Sequence, residues 1–127
     1  MKLWHNFKNL HVWNKSVDLA VKVYETTALF PREEKLGMSS QMRRSSVSIP
    51  SNIAEGVARN SSKAFTNCLD IILGESFELE TQTIIARIVG LLNQDKFDSI
   101  NQNLDEIQKM LIGLKSNVKS NPYKKKI

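Results

Sequence analysis

Residues 97–118, FDSINQNLDEIQKMLIGLKSNV, decide the fold. Phe97, Ile100, Leu104, Ile107, Leu111, Leu114 and Val118 recur at steps of three and four, a seven-residue apolar repeat. In a helix that spacing gathers them on one stripe and leaves the charges between them on the outer side. The segment upstream repeats the pattern: Phe65, Leu69, Ile72, Ser76, Leu79, Thr83, Ala86 and Gly90, opened by the capping residues Asn60, Ser61 or Ser62. Unbroken to Leu92 it would be roughly 45 Å long at about 1.5 Å per residue. Asn93 to Asp95 form the turn between the two.

Working outward, a first helix is expected over Leu10–Leu29 with Leu10, Trp13, Val17, Ala20, Tyr24 and Thr27 inward. Phe30-Pro31 ends it, because proline disfavours helical geometry in the residue before it. Pro31–Met38 reads as a charged surface link. A second helix starts at Ser39 or Ser40, with Met38, Met42, Ser46, Ile49, Ile53 and Gly56 or Val57 facing in. Pro50 lies within this run. It removes one backbone donor and crowds the carbonyl four residues back, so a kink near Ser46–Pro50 is expected, a break into two short helices being the alternative. No run of five or more alternating apolar and polar residues competes as a strand. Four amphipathic helices with short links predict an all-α chain, an antiparallel up-and-down four-helix bundle with helix two kinked at Pro50.

The 127 residues fit one domain, with 1–118 as the bundle and 119–127 as a basic tail without helical pattern. Composition is 41% apolar and 24% charged, which excludes a wholly disordered chain. No apolar run reaches the roughly 18–20 residues that span a bilayer, and the first ten residues do not read as a signal peptide, so a cytoplasmic protein is expected. Formal net charge is +5, but Lys119, Lys124, Lys125 and Lys126 supply four of the basic groups. Residues 1–118 are left with fourteen basic and thirteen acidic groups, so bulk charge says little about partners. Inside that body the charge is uneven. Arg43, Arg44 and Arg59 outweigh Glu55 over 39–60, whereas Asp70, Glu75, Glu78 and Glu80 outweigh Lys63 and Arg87 over 61–92. Two elements pairing face to face would carry such a pattern.

Helix two bears a polar stripe of Arg44, Ser48, Ser51, Glu55 and Arg59, with Asn52 at its border, and helix three bears Glu75, Glu78 and Gln82. One reading is a pair of solvated faces. The other has Arg43 or Arg44 reaching Glu75 and Glu78 across the helix two–three contact, with Gln41 and Asn52 completing the network. The small side chains Ser45, Ser46, Ser48, Ser51, Ala54 and Gly56, with Gly74 and Ser76, suit either close packing inside the bundle or a flat contact face for another subunit.

Catalytic chemistry finds little purchase, and no enzyme, cofactor or metal is expected. His5 and His11 sit at the N-terminal end without a carboxylate pattern. Glu75 and Glu78 lack the Glu-x-x-His steps of bundle metal sites. Cys68 reads as a small core residue with no basic partner to lower its pKa. The five glycines are scattered singly, so no phosphate-cradling loop forms.

Three groups of residues resemble a known family. Phe7-x-x-Leu10-x-Val12-Trp13, Val23-Tyr24 and Phe30-Pro31 are similar to the first helix of the four-helix-bundle proteins encoded in intervening sequences of bacterial 23S ribosomal RNA genes. Gln41-Met42-Arg43-Arg44-Ser45-Ser46-Val47-Ser48-Ile49-Pro50-Ser51-Asn52-Ile53-Ala54-Glu55-Gly56 looks like that family's signature, and Glu78-Leu79-Glu80-Thr81-Gln82 like its third-helix motif. The resemblance covers about residues 7–118. It departs at Ser45, where alanine is usual, and at Glu75, where serine is usual. It implies a homo-oligomer, most simply a five-subunit ring with a central channel, related to the accessory proteins of diversity-generating retroelements, which bind nucleic acid and a reverse transcriptase. It implies no established biochemical role, and the signature positions it carries over are Gln41, Arg43, Arg44, Ser48, Asn52, Glu55, Gly56 and Glu78.

Two functions follow as expectations. In one, a ring repeats Arg43, Arg44, Arg59, Lys63, Lys124, Lys125 and Lys126 and holds RNA or DNA by its phosphates. In the other, the bundle is a structural or protein-interaction module that docks a partner such as a reverse transcriptase, and Gln41, Ser48, Asn52, Glu55, Gly56, Glu75 and Glu78 form an interface network.

Overall fold

The computed structural model describes residues 6–120. Four helices make the bundle: α1 (His11–Thr27), α2 (Met38–Val57), α3 (Ser62–Ile88) and α4 (Gln94–Ser120). Each packs on its two neighbours in chain order, and α4 closes the ring of contacts against α1. The short links make successive helices antiparallel, so the up-and-down bundle expected from the apolar repeats is the fold. A short 3-10 turn at Phe7–Asn9 precedes α1 and sets Phe7 edge-on against Trp13, ring centroids 5.2 Å apart. No described helix is long and apolar enough to cross a membrane.

The core is built from the predicted stripes of three helices. Met42, Ile49 and Ile53 from α2, Phe65, Leu69, Ile72, Leu79 and Ala86 from α3, and Ile100, Leu104, Ile107, Leu111 and Val118 from α4 are all buried. Helix α1 differs. Its buried residues are Val12, Ser16, Leu19, Ala20, Val23, Thr26 and Thr27, so Ala20 and Thr27 of the expected stripe are inside, while Leu10, Trp13 and Val17 are half-buried and Tyr24 is 46% exposed. The apolar arc of α1 is wide enough for two overlapping stripes, and packing selects the one whose aliphatic side chains interlock with α2 and α4. Tyr24 is thereby left at the surface.

Helix ends follow local chemistry with two departures. Ser61 caps α3, its hydroxyl accepting from the Ala64 N–H at 3.1 Å, and Asn93 accepts from the Lys96 N–H at 2.8 Å at the start of α4. At α2 neither Ser39 nor Ser40 caps. The helix begins at Met38 after Gly37, and Glu34 Oε1, returned by a 3-10 turn over Arg32–Glu34, accepts from the Met38 N–H at 3.3 Å. At the other departure Gly90 leaves the inward stripe and ends α3. Its φ is +88°, and Leu91 and Gly90 donate back to the Ala86 and Arg87 carbonyls at 2.8 and 3.2 Å, a Schellman closure that a side-chain-free residue permits. Helix α2 runs through Pro50 without interruption, which excludes two short helices.

Candidate functional site

The signature residues of α2 divide by direction. Met42, Ser45, Ser46, Ile49, Ile53 and Gly56 point into the bundle. Gly56 sits tight against α3: a Cβ there would stand 3.2 Å from both the Cys68 Cβ and the Phe65 ring. Gln41, Arg44, Ser51 and Glu55 are exposed, as is Glu78 on α3.

Arg43 and Arg44, adjacent in sequence, part company. The expectation that either reaches Glu75 and Glu78 is not met. Arg43 turns to α1, where Nε donates to Thr27 Oγ1 at 2.7 Å and Nη2 to the Tyr24 carbonyl at 3.3 Å. Its guanidinium carbon lies 4.5 Å from the Tyr24 ring centroid, a cation–π contact. Thr27 in turn donates to the Val23 carbonyl at 2.7 Å. Consecutive helical residues are about 100° apart around the axis, so two arginines in tandem serve different neighbours.

Arg44 faces a groove between α2 and α3 of about 430 Å³, lined by Gln41, Arg44, Ser45, Ser48, Glu75, Glu78 and Gln82. Among the described residues Ser48 and Glu75 are joined across it. Ser48 shares its hydroxyl proton between the Ser45 carbonyl at 2.7 Å and Glu75 Oε1 at 3.0 Å. Asn52 donates to the Ser48 carbonyl at 2.8 Å, within α2. Among the described residues no ion pair includes Arg44, Glu75 or Glu78. The remaining acids of α3 look to α4 instead: Asp70 meets Lys115, and Glu80 accepts from Gln108 at 2.9 Å. Gln82 is only 8% exposed, and its Oε1 has no hydrogen-bond partner among the described residues. An orphaned buried acceptor costs about 1–3 kcal/mol in lost hydration.

A second cavity, about 630 Å³, lies between the end of α1, the link and the start of α2. Arg32, Lys35, Arg43 and Arg44 line it beside Tyr24, Phe30 and Leu36, and no acidic residue does. Arg44 stands on the ridge between the two cavities. Arg32 and Lys35 were hidden in the sequence by Glu33 and Glu34, which cancel them on a linear count. The fold separates the signs by turning Glu34 to the α2 N-terminus.

Arg59 and Lys63 belong to the opposite end of α2, Arg59 about 22 Å from Arg44 at 1.5 Å per residue. Arg59 lies 3.8 Å from Glu55, both exposed, so this pair contributes little. Its pKa is raised above the ordinary guanidinium value, chiefly by its interactions with the Cys68 side chain and less by Glu55, with desolvation opposing. Cys68 therefore has a basic neighbour that a reading of residues 60–70 alone misses, and it is half-buried. Lys63 borders a cavity of about 350 Å³ that also holds Asp70 and Lys119. Lys119 is within α4, and Lys124, Lys125 and Lys126 lie outside the described residues, as does His5. Among the described residues no three His, Cys, Asp or Glu side chains converge on a point that a metal ion would occupy.

The outer side of α3 is unusual. Ile71, Phe77, Ile84, Ile85, Ile88 and Val89 are all exposed, Ile88 by 77%. Gly74 lies between Ile71 and Phe77 with nothing within 4 Å of where its Cβ would be. Together with the buried stripe, these residues leave α3 apolar around most of its circumference, which a helix at the edge of a solitary bundle does not require.

Comparison with known proteins agrees with the signature. A crystal structure of a protein of unknown function from the S23 ribosomal protein family of Bacteroides thetaiotaomicron is similar at 31% identity, with a TM-score of 0.76 over 83% of this chain and 95% of that one. No curated protein matches the chain. The profile of the 23S rRNA-intervening sequence proteins matches residues 8–113, and the chain belongs to that family.

Proposed function

We propose that this protein is a non-enzymatic, cytoplasmic bundle that assembles with copies of itself into a closed ring, and that the ring holds nucleic acid by its phosphates. The observation that carries the assembly is the exposed apolar line of α3, Ile71, Phe77, Ile84, Ile85 and Ile88. Large apolar side chains exposed together on one helix mark an interaction site, and a head-to-tail contact that closes on itself gives a ring. Five subunits is the number that the family resemblance implies.

The nucleic-acid half of the proposal rests on the acid-free cavity of Arg32, Lys35, Arg43 and Arg44. A ring repeats those four cations in every subunit, and each phosphate contact adds about 0.9 to the slope of log affinity against log salt. Arg43 lies over the ring of Tyr24, so that aromatic is engaged within the bundle. Of the other basic positions, Arg59 and Lys63 supply a weaker surface at the far end, beside Glu55 and Asp70.

The second reading, a structural or protein-interaction module docking a partner protein such as a reverse transcriptase, draws support from the acids facing Arg44. Light scattering and filter binding of structured RNA at several salt concentrations test both. A particle of several times 14.5 kDa that retains RNA at low salt, with a steep salt slope, is expected. A 14.5 kDa particle sinks the ring. A ring that retains no RNA at low salt leaves the interaction module. Reversing Arg32, Lys35 and Arg44 to glutamate separates the roles, since loss of RNA from an intact ring marks ligand residues and loss of the ring marks an interface.

A further inference from the structure

We propose that the groove between α2 and α3 is a receptor for a compact cationic hydrogen-bond donor, an alkylguanidinium or alkylammonium head. Three residues that line it carry acceptors. Gln82 Oε1 is buried and unpartnered among the described residues, Glu78 has neither hydrogen bond nor ion pair among them, and Glu75 has one oxygen engaged by Ser48 and the other open. Buried acceptors are almost always satisfied, so one left open within a polar cavity points to a donor that arrives from outside.

Charge and size narrow the class of ligand. Two carboxylates against Arg44 make the groove net negative. Arg44 is exposed on the ridge and free to turn to solvent or into the neighbouring basic cavity. Among the described residues no three His, Cys, Asp or Glu side chains gather as they would around a metal ion, and the groove brings two carboxylates. A guanidinium has five donors in a planar fork. It bonds a carboxylate at two points and still reaches an amide oxygen, and an ammonium satisfies the same acceptors as a point donor.

Such a head arrives either on a free small molecule or on a basic side chain of a second copy, whose approach the adjoining apolar line of α3 would guide. Agmatine, which carries a guanidinium and an ammonium, is the probe, titrated into the full chain by calorimetry. Saturable binding of one agmatine per chain is expected, weakened at least tenfold by Glu78→Gln and by Gln82→Leu and unchanged by Glu55→Gln at the far end of α2. Circular dichroism checks that each variant folds. If agmatine, and not sodium chloride at equal ionic strength, also lowers the solution mass, the natural occupant is a neighbour's side chain. Binding with the mass unmoved assigns the groove to a free cation. A groove already filled by a neighbour hides the titration, and Glu75→Gln with Glu78→Gln then lowers the mass. The proposal is overturned if agmatine binds wild type and Glu78→Gln alike, or if it does not bind and the double variant keeps the wild-type mass. A monomeric wild type ends the ring but leaves the titration readable, so the two failures are distinct.

Discussion

Ser48 on α2 and Glu75 on α3 are joined by one hydrogen bond of 3.0 Å, and the proton that makes it is shared with the Ser45 carbonyl. This shared proton is the polar link that the groove provides between the two helices, in place of an arginine–glutamate network. Ser48→Ala removes it. Because Glu75 is half-exposed and the proton is divided, the expected loss is about 1 kcal/mol, that of an ordinary hydrogen bond and not of one to a charged group. Urea unfolding would report it as a lower midpoint at unchanged slope. Glu75→Gln, which keeps an acceptor oxygen, loses less.

Arg43 stabilises the bundle by joining α1 to α2. Arg43→Ala gives up the bond to Thr27, the bond to the Tyr24 carbonyl and the ring contact, together about 1–3 kcal/mol. Arg43→Lys recovers little of this, since an ammonium cannot reproduce the planar fork. Arg44→Ala stays within about 0.5 kcal/mol of wild type, as expected for an exposed side chain with no ion pair among the described residues. Equal effects at the two positions in urea unfolding would contradict the divided roles.

Two glycines respond in opposite directions. Gly56→Val drives methyls into Cys68 and Phe65, where even a Cβ is at 3.2 Å, and costs about 1–3 kcal/mol by overpacking. Gly74→Ala meets open space in the middle of α3 and gains up to about 1 kcal/mol of helix propensity. Thermal unfolding under conditions that keep the chain monomeric compares them directly.

Gln82→Leu trades an orphaned acceptor for an apolar side chain of similar size. In the absence of any added ligand this raises stability by about 1 kcal/mol, the sign opposite to that of most buried substitutions. A fall in the urea midpoint would mean that the amide is already satisfied in solution.

Charge on the outer line of α3 separates assembly from folding. Ile84→Glu with Ile88→Glu is expected to leave helical content unchanged, because both side chains are exposed within one chain, and to reduce the solution mass to 14.5 kDa. Loss of helical signal instead would place these residues in the core of the fold.

The apolar repeat from Phe97 to Val118 by itself determined α4, and the stripe from Phe65 to Ala86 determined the buried side of α3, because helical period and burial are both properties of residue spacing. The same reasoning recovered the interior of α2 through Pro50, and the signature from Gln41 to Gly56 identified the family. Spacing did not choose between two overlapping stripes on α1, since Val23 and Tyr24 both continue an apolar arc and only packing against α2 and α4 selects one. Nor did it place Arg43 on Tyr24, bring Arg32 and Lys35 beside Arg44, set Arg59 against Cys68 or leave Gln82 buried without a donor. Each of these depends on which residue from another helix arrives opposite, and a sequence lists neighbours along the chain, whereas hydrogen bonds, desolvation and charge pairing respond to neighbours in space.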